Sequence, residues 1–159
     1  METVKKRNAI LQYLEALKNL KDLKIIKNQK DFTSQLGEWL IAELLNGEIS
    51  TKGNQVDWDI KVGDKFYQIK THAKSITTPR SDTEIKYGKD AKIDFLVIVV
   101  FSENYKLIDI YKAPWIEAFR LISNTKNPVI KWSDLNEYKM NLKDEFKNNP
   151  LLNTFLEIK

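Results

Sequence analysis

The chain has 159 residues, 42% hydrophobic and 30% charged, with a formal net charge of +4 and no cysteine. That length suits a single domain of residues 1–159 with a substantial core, and the absence of cysteine excludes disulfides and thiolate metal sites. No apolar run approaches the ~18 residues of a membrane span. The amphipathic start, Met-Glu-Thr-Val-Lys-Lys-Arg, is unlike a secretory leader, so a cytoplasmic protein without a membrane partner is expected. The positive charge permits a nucleic-acid partner, although lysine is spread along the whole chain.

Residues 2–27 read as an N-terminal helix. Ile10, Tyr13, Leu14, Leu17 and Leu20 recur at helical spacing as one apolar stripe, and Lys5, Lys6, Arg7, Lys18, Lys21, Lys24 and Lys27 crowd the remaining surface. Such a helix could contact phosphates, form a dimer or simply be solvated. A second helix is expected over 31–46, with Asp31 as its N-cap and Gly47 just past its end. Its stripe is Leu36, Leu40 and Leu44. At 100° per residue Glu43 falls about 20° from Leu36 and so points inward, where a carboxylate wants a metal or a lysine. Glu38 falls on the far side by the same arithmetic.

A short strand over 48–52 precedes residues 53–74, which read as two strands joined by a tight Gly63-Asp64 turn of type II′. The register follows from the turn. Val62 faces Lys65, Ile60 faces Tyr67, Asp59 faces Gln68, Trp58 faces Ile69 and Asp57 faces Lys70. Alternation then divides the hairpin into two faces. Val56, Trp58, Ile60, Val62, Tyr67 and Ile69 form a core face. Asp57, Asp59, Gln68 and Lys70 lie opposite, with Lys61 and Phe66 nearer the turn, in cross-strand pairs roughly 5 Å apart. Two carboxylates and an amide oxygen make a hard-oxygen site suited to Mg²⁺, and a nearby lysine can position a water or offset phosphate charge. The same residues also fit an ordinary solvated sheet face. His72 falls on this face if the strand continues, where it could touch a phosphate or carry a proton.

Residues 75–92 read as a loop beside the site. Lys74, Arg80, Lys86, Lys89 and Lys92 could line a phosphate backbone there, and Tyr87 could stack on a base. The nearly unbroken apolar run 94–101 suits a central strand buried on both faces. Residues 105–112 follow as the next strand, and Pro114 opens a helix carrying Trp115, Ile116, Phe119 and Ile122. Residues 128–132 suggest a short strand with Trp132 in the core, and the tail from Leu135 to Phe155 packs as turns or a short helix. The expected class is α/β, a mixed central sheet of four to six strands flanked by helices on both faces.

Asp59 followed by Gln68-Ile69-Lys70 resembles the Asp…(Asp/Glu/Gln)-x-Lys motif of the PD-(D/E)XK nuclease superfamily, in its Gln-x-Lys variant. The resemblance covers about residues 30–122 as a core, leaving 1–28 as an N-terminal helix and 123–159 as a C-terminal extension. It implies a restriction-endonuclease-like fold and a Mg²⁺-dependent DNA endonuclease, with Mn²⁺ able to substitute, of a restriction or defence type. Asp59, Gln68, Lys70 and a helix glutamate would be catalytic, and the resemblance favours Glu38 for that glutamate. Asp59, Gln68, Asp57 and Glu43 are the candidate metal ligands. His72, Lys74, Arg80, Lys86 and Tyr87 are the candidate nucleic-acid contacts. The implied partners are double-stranded DNA and a second copy in a homodimer. Gln68 departs from the usual carboxylate, which keeps open a catalytically inactive nucleic-acid-binding or partner-binding module on the same fold.

Overall fold

The computed structural model describes residues 1–51, 57–74 and 79–159. The expected Val56 position, the end of the 48–52 strand and the start of the 75–92 loop therefore lie outside the described residues. The chain runs through helices α1 (Glu2–Asp22) and α2 (Phe32–Leu45), then strands β1 (Glu48–Ile49), β2 (Ile60–Val62), β3 (Lys65–Ala73), β4 (Asp82–Glu84), β5 (Phe95–Phe101) and β6 (Leu107–Pro114). Helix α3 (Trp115–Leu121), strand β7 (Val129–Lys131), a 3₁₀ helix (Trp132–Tyr138) and helices α4 (Leu142–Phe146) and α5 (Pro150–Glu157) complete it. Five strands form a mixed sheet in the order β1-β2-β3-β5-β6, flanked by helices. β3 and β5 are parallel, and the other neighbours are antiparallel.

β5 explains why both faces are covered. Val97, Val99 and Phe101 turn toward a cluster with Leu40, Ile41, Phe146 and Leu152. Leu96, Ile98 and Val100 turn to the opposite side, against Trp115, Ala118, Ile130 and Trp132. A strand buried on both faces reads as a continuous apolar run, as this one does. The parallel register carries the division onto β3, where Ile69 and Thr71 pair with Val97 and Val99, while Gln68, Lys70 and His72 pair with Leu96, Ile98 and Val100. Gln68, Lys70 and His72 therefore share the second face.

α2 lies directly on the first face. A Cβ on Gly37 would fall 1.8 Å from Thr71 Oγ1 and 2.8 Å from Thr71 Cβ, so only glycine lets the helix backbone rest there. Asp31 caps the helix in a left-handed conformation and accepts from the Ser34 amide, as its sequence position suggests. At the other end Asn46, not Gly47, takes the left-handed conformation. Gly47 is instead needed for space, because its Cβ would meet Ile60 Cγ2 at 2.7 Å.

Several expectations need correction. The first helix ends at Asp22 and not at residue 27, because Lys24 adopts a positive φ of 59° and the chain turns. Its apolar stripe is mostly uncovered: Ile10, Tyr13 and Leu14 are 60%, 63% and 53% exposed, and Leu17 is buried. The 75–92 segment is not all loop, since β4 pairs with β7 in a small separate two-stranded sheet. Strand β6 runs to Pro114, two residues past the expected end, and α3 begins at Trp115.

Candidate active site

The hairpin turn forms as expected. Gly63 has φ of 59° and Asp64 does not share a positive φ, as a type II′ turn requires. Val62 pairs with Lys65, Lys61 with Phe66 and Ile60 with Tyr67. Beyond Ile60 the expected register fails. The amide of Asp59 also donates to the Tyr67 carbonyl, at 2.8 Å, so two residues of one strand oppose one of the other. This bulge ends the β2–β3 ladder, while β3 continues to Ala73 paired with β5 only. The expected pairs Asp59–Gln68, Trp58–Ile69 and Asp57–Lys70 are therefore not formed as ladder pairs.

The bulge places the Asp59 side chain where a neighbouring strand would have been. Its Oδ2 accepts the Ile69 amide at 2.8 Å and the Gln68 Nε2 at 2.7 Å. The nitrogen end of Gln68 faces Asp59, not the oxygen expected to join it as a metal ligand, because a carboxylate can only accept. Gln68 is one of two buried polar side chains among the described residues. Burial raises the Asp59 pKa above its ordinary value, opposed by the Ile69 hydrogen bond and by the charges of Lys70 and Lys27.

Across the opening, α2 brings Glu38 to Asp59. Its pKa is pushed from 4.5 to about 7, first by burial and then by the negative charge of Asp59, with Lys27 and Lys70 pulling it back. Glu38 and Glu43 are separated by about 140° around the helix at 100° per residue. The helix beds through Gly37, Leu40 and Ile41, so the two glutamates occupy opposite flanks of the buried face. Glu38 flanks the site. Glu43 is exposed and lines a depression with Leu23, Lys24 and Trp39, and the structure does not bring it to Asp59. The Leu36–Leu40–Leu44 stripe misleads because it omits Gly37, whose missing side chain is what lets the helix approach.

Lys70 and Tyr87 complete the cluster. The Lys70 ammonium lies 5.3 Å from the centroid of the Tyr87 ring. Burial raises the pKa of the Tyr87 hydroxyl, and the charges of Asp59 and Asp57 raise it further, so Tyr87 stands among the acids. Asp57 accepts the Lys92 amide at 2.8 Å, tying the segment before β5 to the hairpin. Lys27, whose charge acts on both Glu38 and Asp59, also belongs to the cluster, although its spacing in the sequence places it on a helix surface. Its Nζ donates to the Ser50 carbonyl at 2.8 Å. No motif marks it, because it belongs to the turn after α1.

The other proposed contacts sit elsewhere. His72 Nε2 meets Thr83 Oγ1 at 2.9 Å, and the same hydroxyl oxygen accepts the Trp132 indole N–H at 2.8 Å. Burial, followed by the Arg80 and Lys70 charges, lowers the His72 pKa to about 4, so this imidazole is neutral at neutral pH. Trp132 is buried, as a core residue should be. The Lys74 ammonium sits 5.6 Å from the Trp132 ring centroid. Arg80 donates to the Asp82 carbonyl, and Lys86 pairs with Glu84 at 3.2 Å, so these two exposed cations already face β4 oxygens.

Among the described residues, no three acidic or histidine side chains converge as a metal cage. The donor set nevertheless fits Mg²⁺, which binds through one or two carboxylates and keeps several waters. The charge of Asp59 raises the cost of ionising Glu38, a cost that a divalent cation would relieve. Compared with known proteins, the chain matches no family model and no curated protein.

Proposed function

We propose that the chain is a metal-dependent endonuclease that hydrolyses phosphodiester bonds in DNA, on a restriction-endonuclease-like fold. The observation that carries this reading is the meeting of Glu38 and Asp59, from a helix and a strand end, beside Lys70 and Lys27. Carboxylates crowded together next to an ammonium suit a reaction that gathers charge on phosphate oxygens. Asp59 and Glu38 would hold Mg²⁺ or Mn²⁺, which when bound supplies Lewis acidity and an activated water. Lys70 projects from the same face of β3 as Gln68. Its ammonium orients a water for in-line attack on phosphorus and offsets the growing negative charge. Tyr87 offers a hydroxyl beside the acids to hold a non-bridging oxygen. The Gln68 amide fixes the Asp59 carboxylate by hydrogen bonding and contributes no charge of its own.

Duplex DNA and a homodimer belong to the same reading, because two-fold DNA pairs with two-fold protein. The uncovered stripe of α1 supports the second copy, since a helix draws most of its stability from packing an apolar face. Gln68 in place of a carboxylate favours a second reading, a nucleic-acid binder without catalysis on the same fold. Plasmid incubated with the protein and Mg²⁺ or Mn²⁺ decides between them. The nuclease nicks or linearises the plasmid, while Lys70→Ala binds DNA but leaves it supercoiled. A wild type that retards DNA in a gel and never cuts it, or a Lys70→Ala protein that cuts equally well, overturns the proposal.

A further inference from the structure

A cavity of about 400 Å³ opens between β1, the Trp58 indole, Phe66 and Lys92. This is within the volume range of small-ligand pockets. Trp58, placed by alternation on the core face, lies instead against Phe66, with ring centroids 5.0 Å apart. The bulge at Asp59 accounts for this, because one extra residue reverses the parity of everything before it. The displaced indole leaves its Nε1–H buried with no hydrogen-bond partner. Lys61 and Lys92 stand at the cavity, and the Lys92 ammonium lies 4.4 Å from the Phe66 ring centroid.

We propose that this cavity receives one unpaired or extruded nucleobase of the DNA being cut, a step that rests on the nuclease reading and narrows its substrate. Two features point to a base. Aromatic rings supply a stacking platform that tolerates any base. Two ammonium groups suit the phosphates on either side of the base. In a duplex the faces of each base are covered by its stacked neighbours, so a base that stacks on Trp58 must leave the stack. The position is also apt. Phe66, Gln68 and Lys70 share one face of β3, which puts the pocket about 7 Å from Gln68 and about 13 Å from Lys70 along the strand. Asp57 and Asp59 flank Trp58 in the chain, so a base stacked there brings its neighbouring phosphates toward the acids.

The test uses ¹⁵N-labelled full-length protein in EDTA, titrated with thymidine trinucleotide and with the same backbone lacking its central base. Trp58→Phe identifies the Trp58 indole resonance among the four tryptophans. The Trp58 resonance should shift saturably with the intact trinucleotide and much less with the abasic one. Lys61→Ala combined with Lys92→Ala should weaken binding about ten-fold and lower the salt slope by about 1.4, from two single-strand phosphate contacts at ~0.7 each. In cleavage, duplex with one bulged base should be cut faster than fully paired duplex. A Trp58 signal that stays still while Lys70 and Tyr87 amides respond overturns the pocket and leaves the nuclease reading standing. Equal shifts with the abasic strand also overturn it. A saturable, base-dependent Trp58 shift in a protein that cuts no DNA supports the pocket and removes the nuclease reading.

Discussion

Replacing Glu38 with Gln should stabilise the metal-free protein at high pH. The Glu38 carboxyl ionises at about 7 in the folded chain against 4.5 ordinarily. A carboxyl with a raised folded pKa binds more protons folded than unfolded between those values, so its contribution to stability falls as pH rises through that window. Above about pH 7 the full penalty is present, and below 4.5 there is none. The shift corresponds to roughly 3 kcal/mol at 1.36 kcal/mol per unit, halved to about 1.5 kcal/mol because the side chain keeps some contact with solvent. Glutamine preserves the shape and cannot ionise, so Glu38→Gln recovers that amount at pH 8. About 1 kcal/mol of the gain should accrue between pH 5.5 and 8. Urea unfolding of both proteins in EDTA at several pH values measures it, and at pH 8 the melting temperature should rise by roughly 3–6 °C. A Glu38→Gln advantage that stays flat with pH, or a variant less stable at pH 8, would refute the raised Glu38 pKa and the burial beside Asp59 that causes it.

Gly37→Ala should cost about 1–3 kcal/mol of stability in denaturant unfolding, because the new methyl group drives α2 off Thr71. Under the proposed nuclease function, DNA cleavage should fall with it, since Glu38 moves with the helix. The His72 imidazole should keep neutral chemical shifts from pH 8 down to 5 in an NMR titration, as its pKa lies near 4. The unfolded chain protonates first, so this residue makes the fold less stable as pH drops from about 6.5 toward 4.

Much of the architecture could be read from particular residues. Gly63-Asp64 announced the turn, the run from Phe95 to Phe101 announced a strand covered on both faces, and Asp31 announced a helix start. Each is a local signal whose physics does not depend on distant partners. The polar cluster around Asp59 was legible in part of its membership more than in its geometry. Asp59, Gln68 and Lys70 stand in the spacing of the motif, but strict alternation could not anticipate two residues opposing Tyr67. That one irregularity moved Trp58 to the other face and turned Asp57 toward Lys92. The choice between Glu38 and Glu43 depended on which helix face meets the sheet. Thr71 decides that by fitting against a glycine, and counting apolar positions cannot see a side chain that is absent. β4 and β7, three residues each, carry too little pattern to be read before they pair.

The hydrogen bond from the Ile69 amide to Asp59 has a practical consequence for mutagenesis. Alanine at position 59 would strip away a candidate ligand and also orphan a main-chain donor on the strand that bears Gln68 and Lys70. Lost cleavage in such a protein would confound two causes, missing charge and a frayed sheet border. Asparagine separates them: its carbonyl can still accept from the Ile69 amide, so an Asp59→Asn protein that folds correctly would isolate the role of the negative charge.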